Sequence, residues 1–325
     1  MNQPDFSIII PCFNSSSTIQ RTLDGLAKQD FDLKKIELLI IDDCSTDETP
    51  EIINSYGAIS EFGIVRMFKT QINSGPGIAR NLGIDSCTGR YVIFVDSDDV
   101  LNVSSLKSIY GACINNSDIV LFDGKTMAEE SPIICKHSKM LNKNQIEKAK
   151  ILLNLETDEH VIFSAYRRGF LIDLPRFKAG VYEDALFSGI AYLHAQTVEH
   201  LPYIAVNKFL SSGQITANMS ISKAKQYLYS RLDLSDNIMQ SLSEYSHLLY
   251  KYYTSGIRGS IAVTLHNLEK SSKDQDHFRA SLNEFFDFAS TCIDNLESIV
   301  FNHQFTIKDI QTFNYYMDWK EKSHE

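Results

Sequence analysis

The chain has 325 residues, 43% of them hydrophobic and 22% charged, with a formal net charge of −10, a composition that suits a globular protein of one large or two smaller domains. The acidic balance excludes a nucleic-acid surface, which needs a basic face, and argues against purely electrostatic adhesion to anionic lipid. Six scattered cysteines without a C-x-x-C pair exclude a zinc or redox motif, and with no basic leader and no apolar run near the roughly 18 residues of a membrane span, the expectation is a cytoplasmic protein with free thiols.

In chain order, Phe6 to Ile10 reads as a buried strand stopped by Pro11. After a serine run come Ile19, Leu23 and Leu26 at helical spacing. Ile36 to Ile41 is a second strand ending in Asp42 and Asp43, and Thr49-Pro50-Glu51 starts a helix with proline in its first turn. Ile64 to Phe68 is a third strand. Asn73 to Gly77 turns into a helix through Ile78, Ala79, Leu82 and Ile84. Tyr91 to Val95 is a strand buried on both faces, followed by a helix around Leu106 to Ile114 and a strand from Ile119 to Phe122. This alternation predicts an α/β fold, a mostly parallel sheet with helices on both faces.

From Ala128 to Leu155 the pattern is vague, polar and helical; Val161 to Tyr166 returns to a strand. Val181 to Phe187 opens a helix, and Tyr203 to Phe209 is a further strand. Beyond Ser220 the pattern is helical only. Leu228, Leu232, Met239, Leu242 and Leu249 share one face, as do Phe278, Leu282, Phe285, Phe286, Ala289, Ile293 and Leu296, so a C-terminal α-helical appendage is expected. Residues 1–125, 126–219 and 220–325 form three successive regions.

The strand at 91–95 runs straight into Asp96, Asp98 and Asp99. Like charges this close repel, and a hard divalent cation held by carboxylate oxygen and substrate phosphate would compensate them. Asp98 or Asp99 as a helix cap is the plainer alternative. Pro11 to Asn14, Asp42–Asp43 and Asp96 to Asp99 all stand at strand carboxyl ends, where parallel sheets bind ligands. That convergence favours a metal site.

Four ordered segments, 7–14 (Ser-Ile-Ile-Ile-Pro-Cys-Phe-Asn), 40–47 (Ile-Ile-Asp-Asp-Cys-Ser-Thr-Asp), 73–81 (Asn-Ser-Gly-Pro-Gly-Ile-Ala-Arg-Asn) and 94–99 (Phe-Val-Asp-Ser-Asp-Asp), resemble the family 2 glycosyltransferases of GT-A fold. The resemblance implies an inverting sugar-nucleotide enzyme of bacterial polysaccharide synthesis. Its donor would be UDP-linked, and its acceptor a glycan or lipid-linked oligosaccharide in capsule, O-antigen or lipopolysaccharide assembly. By the same resemblance the 1–125 region would bind the nucleotide-sugar and 126–219 the acceptor. Pro11 and Phe13 would lie at the nucleobase, Asp43 would accept its N–H with Asp42 supporting the turn, and Arg80 would pair with the diphosphate or the acidic cluster. Asp96 would contact the ribose, Asp98 would hold Mn²⁺ or Mg²⁺, both suited to oxygen ligands, and Asp184 in Glu183-Asp184 would deprotonate the acceptor. His194 and His200 are available as further metal ligands and remain unassigned.

Two departures from the family pattern stand out. Cys44 occupies a place usually held by glycine or asparagine, and Ser211 to Ser220 lacks a basic run. A sugar-nucleotide pyrophosphorylase would need a basic, glycine-rich loop after the first strand, and an NAD oxidoreductase a G-x-G-x-x-G there. Neither is present. A phosphatase of the haloacid dehalogenase type needs its aspartates after the first strand. An inactive GT-A scaffold that binds a partner through its helices is the non-enzymatic alternative. Lysine and tyrosine crowd 223–229 and 250–253, faces for core packing, a second copy of the chain or a membrane surface.

Overall fold

The computed structural model describes residues 3–127, 133–135, 138–155, 160–180, 182–209, 219–272 and 275–292. Two compact units emerge: residues 1–148 with 157–212, and residues 149–156 with 213–325.

The first unit is built on β1 (Phe6–Cys12), α1 (Ile19–Ala27), β2 (Ile36–Asp42), α2 (Thr49–Ser55), β3 (Ile64–Lys69), α3 (Pro76–Ser86) and β4 (Tyr91–Phe94). After them come β5 (Val100–Leu101), α4 (Ser105–Ala112), β6 (Ile119–Met127), β7 (Ile133–Cys135) and α5 (Gln145–Leu153), which runs into the second unit's 149–156. The unit ends with β8 (Ser164–Arg167), α6 (Arg168–Leu171), α7 (Glu183–His194) and β9 (Val198–Phe209). The nine strands form one sheet in the order β3-β2-β1-β4-β8-β6-β9-β5, with β7 on β6. β3, β2, β1 and β4 are mutually parallel, and every residue of β1, β2 and β4 is buried, as near-continuous apolar strands covered on both faces require. Beyond β4 the sheet is mixed, since β8 runs antiparallel to both β4 and β6.

Four local expectations change. Pro11 does not end the first strand; β1 continues to Cys12, with Pro11 paired to Ile41. The carbonyl of Ile9 accepts from Val95 N–H, so alternation turns the proline nitrogen to the same side, past the end of β4, where no ladder bond is lost. The strand expected at 161–166 is Ser164–Arg167, after a 3-10 turn at Val161–Phe163. The expected helical stretch 128–155 carries strand β7 before α5. The last strand starts at Val198 rather than Tyr203.

The second unit contains α8 (Ile221–Ser241), α9 (Ser246–Ser271) and α10 (Gln275–Cys292). Their shared core holds Ala224, Leu228 and Leu232 of α8, Ile257, Ile261, Leu265 and Leu268 of α9, and Leu282, Phe285, Phe286 and Ala289 of α10. Ile293 and Leu296 of the expected stripe lie outside the described residues. Tyr229 and Tyr250 of the Lys/Tyr-rich segments are about 60% exposed, so they pack no core. No helix among the described residues is long and apolar enough to cross a membrane.

Candidate active site

The carboxyl ends of β1, β2 and β4 meet at one edge of the sheet. Leaving β1, the chain exposes Phe13, 42% accessible, so it is not a core residue. Asn14 then turns through φ 48°, an αL position that asparagine tolerates. Its side chain accepts from Thr46 N–H at 2.9 Å, its own N–H donates to Ser45 Oγ at 2.9 Å, and Asp47 accepts from Ser16 N–H at 3.0 Å. The first two motifs are therefore laced together. Burial opposes the Asp47 anion, but hydrogen bonds from Thr49 and Ser16 hold its carboxyl down to about 2. Pro11 is buried within β1 and presents no open surface.

Asp42 supports the turn as expected, with Oδ1 accepting from Ser45 N–H at 3.0 Å. The left-handed residue of that turn is Cys44, φ 65°, which explains why glycine or asparagine suits the position. Asp43 is 2% exposed and folds the 70–75 loop over itself. Thr70 Oγ1 donates to it at 2.7 Å, Gly75 N–H at 2.7 Å, and Ser74 N–H at 3.0 and 3.1 Å to its two oxygens. Each Asp43 oxygen thus accepts two hydrogen bonds, with Ser74 N–H shared between them.

The glycines of the third motif are steric requirements. Gly75 has φ 88°, and a Cβ on Gly77 would stand 2.7 Å from Glu183 Cγ and 2.8 Å from the Lys178 carbonyl. α3 thereby lies backbone-close to the segment that starts α7. One turn on, Asn81 both donates to Phe177 O and accepts from Phe177 N–H, each at 2.9 Å.

Arg80 is buried, and its guanidinium bridges Glu183 Oε1 (2.6 Å from Nη1) and Asp96 Oδ1 (2.8 Å from Nη2). Of its two expected partners, the structure joins it to the acidic cluster. Burial disfavours the Asp96 anion, yet Arg80, with Lys208 behind it, holds that carboxyl below the usual range. Asp99 is 1% exposed, and burial, with Asp96 beside it, pushes its carboxyl up to about 8. Its Oδ1 accepts from Phe209 N–H at 3.0 Å, while Oδ2 is buried without a hydrogen bond.

Asp96, Asp98 and Asp99 each bring an oxygen within 4.8 Å of the others. An all-oxygen set with an orphaned buried carboxylate oxygen fits a hard divalent cation. Neither candidate histidine joins this group. His200 Nε2 bonds Asp123 Oδ1 at 2.7 Å, and His194 is exposed at the end of α7.

Asp184 stands in the first turn of α7, half-buried, with Oδ1 accepting from Ala185 N–H at 3.0 Å. Glu183 beside it is buried; desolvation, opposed by Arg80, pushes its carboxyl up to about 7. Behind both lie Phe94, Tyr166, Phe177 and Phe187, the last two stacked at 3.8 Å.

The family model described as Glycosyl transferase family 2 matches residues 7–174, more than half of the chain and all four motifs. The chain belongs to that family.

Two relatives from Staphylococcus aureus are named poly(ribitol-phosphate) beta-N-acetylglucosaminyltransferases. TarS is 31% identical over 60% of this chain and 34% of its own length; TarP is 30% identical over 66% of each. The chain thus spans about a third of one and two thirds of the other. The crystal structure of S. aureus TarS 1-349 in complex with UDP-GlcNAc superposes with TM-score 0.60 at 20% identity, covering 91% of this chain and 90% of that one. The mannosyltransferase PcManGT from Pyrobaculum calidifontis, in complex with GDP-Man and Mn²⁺, gives TM-score 0.53 at 15% identity, covering 92% and 86%. At these identities the likeness is one of fold, and it supports the GT-A assignment.

Against the family motifs, sequence reading missed three contributors. Lys208 faces Asp96 and Asp99 from the end of β9, a cation at a strand's carboxyl end that could have been noticed. It lies just before the segment 211–220 that lacks basic residues. Arg21 of α1 donates to the Asp98 carbonyl at 2.7 Å and sits 4.0 Å over the Phe209 ring. His160 acts electrostatically on Asp96. Arg21 and His160 carried no signal, since both are surface residues of ordinary pattern.

Proposed function

We propose that the chain carries the activity of an inverting glycosyltransferase. It moves a hexosyl or N-acetylhexosaminyl group from a UDP-linked donor to a hydroxyl of a cell-surface glycan polymer. The observation that carries this reading is the meeting, at one sheet edge, of an exposed aromatic (Phe13), a loop-ordering carboxylate (Asp43), a three-aspartate cluster and a helix-start carboxylate (Asp184). Relatives named for poly(ribitol-phosphate) favour a polyol-phosphate polymer of the teichoic type over capsule or O-antigen.

In this reading Phe13 stacks on the nucleobase, an interaction worth about 1–3 kcal/mol for aromatic–base pairs, and Asp43 accepts the base N–H. Asp96, tied to Arg80, meets the ribose. Asp98, with Asp99 behind it, would hold Mn²⁺ or Mg²⁺, and the bound cation supplies neutralisation of the charge developing on the nucleoside diphosphate. Lys208 adds a positive charge on the same side.

Asp184 acts as general base. The helix N-terminus favours its anion, and it is more open than Glu183, which is buried against Arg80. The acceptor oxygen bonds to the anomeric carbon as the bond to the diphosphate oxygen breaks on the opposite side. Its proton passes to Asp184, and the anomeric configuration inverts.

A panel of UDP-, GDP- and TDP-sugars with poly(ribitol phosphate) and glycan acceptors, read by released nucleotide and product NMR, tests this. The expected result is acceptor-dependent UDP release with inversion. Asp184→Asn is expected to cut turnover by about 10²–10⁴-fold with UDP affinity kept. Retention of configuration, or full turnover in the variant, would overturn it.

A further inference from the structure

Glu183 has no step in the transfer just described, yet it is the most enclosed side chain at the start of α7. We propose that Glu183 is a positioning residue for the transfer: through Arg80 it locks the first turn of α7 to the aspartate at the end of β4 and so fixes where Asp184 stands relative to the donor. This rests on the reading of Asp184 as base.

The start of α7 is not held by an ordinary cap. Its N-cap residue, Tyr182, lies at φ 63° and makes no side-chain cap hydrogen bond. A left-handed tyrosine persists only where its surroundings over-determine the backbone. Those surroundings come from α3, through Gly77 against Glu183 Cγ, the two-way Asn81–Phe177 clamp, and Arg80. A planar guanidinium with both terminal nitrogens committed sets the Glu183 and Asp96 carboxylates in a fixed mutual geometry, which a lysine could not do. α3 is therefore a common mount for the donor-side aspartate and the base-bearing helix. The third motif, in this view, supplies registration between two halves of the reaction.

A second consequence concerns charge. The charged groups facing Glu183 are Arg80 from α3, Asp96 across that guanidinium, and Asp184 beside it on α7. The 177–180 segment contributes the Phe177 ring and the Lys178 carbonyl. Arg80 opposes the cost of burying Glu183, so the ion pair that offsets that cost is the same one that ties the first turn of α7 to α3.

The test compares Glu183→Gln, Glu183→Ala and Asp184→Asn in the full chain by kcat, donor KM and UDP affinity. Glu183→Gln keeps an acceptor for Arg80 but loses the charge. It is expected to bind UDP normally and to lose only about 3–10-fold in kcat, because the amide oxygen still accepts from Arg80. Glu183→Ala is expected to lose about 10²-fold in kcat through misplacement of the base, with donor KM little changed. Wild-type kcat in Glu183→Ala, or a loss in Glu183→Gln as large as in Glu183→Ala, would overturn the proposal while a large loss in Asp184→Asn kept the base reading intact. Full turnover in Asp184→Asn would remove the base reading and this proposal with it.

Discussion

The same sheet buries carboxylates at both ends, and the two ends treat them differently. At the amino edge Glu37 is 0% exposed. One of its oxygens accepts from Ser7 Oγ and from Thr88 N–H at 2.6 Å, the other from Thr88 Oγ1 at 2.9 Å and from Arg66. At the carboxyl edge Asp99 is almost as buried, but one oxygen has a single backbone donor and the other has none. A saturated buried carboxylate is a bolt between strands. An unsaturated one, beside two more carboxylates, is an acceptor set aside for something the chain does not itself provide, because an unpaired buried polar atom is otherwise costly.

That contrast predicts opposite responses to mutation. Glu37→Ala, at the saturated end, strands Arg66, Ser7 and Thr88 together and is expected to cost about 3–5 kcal/mol of stability. Denaturant unfolding would measure it, with nucleotide affinity per folded molecule unchanged. A stability near wild type would mean the amino-edge network is not a bolt. Phe13→Ala, at the open end, is expected to do the reverse: stability kept, and UDP affinity lowered by about 1–3 kcal/mol in calorimetry. Equal UDP affinity would put the nucleobase elsewhere.

Asp99 sharpens the contrast through pH. Its folded-state carboxyl is raised to about 8 from an ordinary 3.8. The folded chain then binds more protons than the unfolded one between those values, so stability falls as pH rises through that window, by at most about 1.4 kcal/mol per pH unit. Asp99→Asn is expected to abolish that slope in metal-free protein; an unchanged slope would assign it to other groups. The smallest effect belongs to Cys44→Gly. Relief of the left-handed strain, offset by the entropy of glycine, leaves a gain of roughly 0.5–1 kcal/mol, readable as a small rise in Tm. A loss would mean that the Cys44 side chain contributes more than its backbone costs.

Most of the 1–125 region was legible in the sequence alone. Buried apolar strands announce themselves by composition, and motif residues such as Asp43 and Asp98 follow strand ends, as Arg80 follows a helix start, that periodicity locates. The mixed half was less legible, because β6 and β8 are adjacent through pairings that no local pattern encodes. Pro11 misled because its missing donor is harmless only where β4 has already ended, a fact of register. Arg80 was read with two alternative partners; choosing between them needed Glu183, which lies 103 residues away in sequence. Lys208 and Arg21 reach the site from distant elements for the same reason. Chemistry carried by one segment is readable, and chemistry assembled across segments is much less so.

The central claim is that the carboxyl-edge aspartates are kept for a cation and a nucleoside diphosphate. Its most direct test is calorimetric titration of UDP into wild-type protein, Asp98→Asn and Glu37→Gln, each with and without Mn²⁺. Mn²⁺-dependent UDP binding is predicted for wild type and for Glu37→Gln, and its loss for Asp98→Asn, whose fold remains intact. UDP binding that ignores Mn²⁺ in the wild type, or that survives unchanged in Asp98→Asn, would contradict the account.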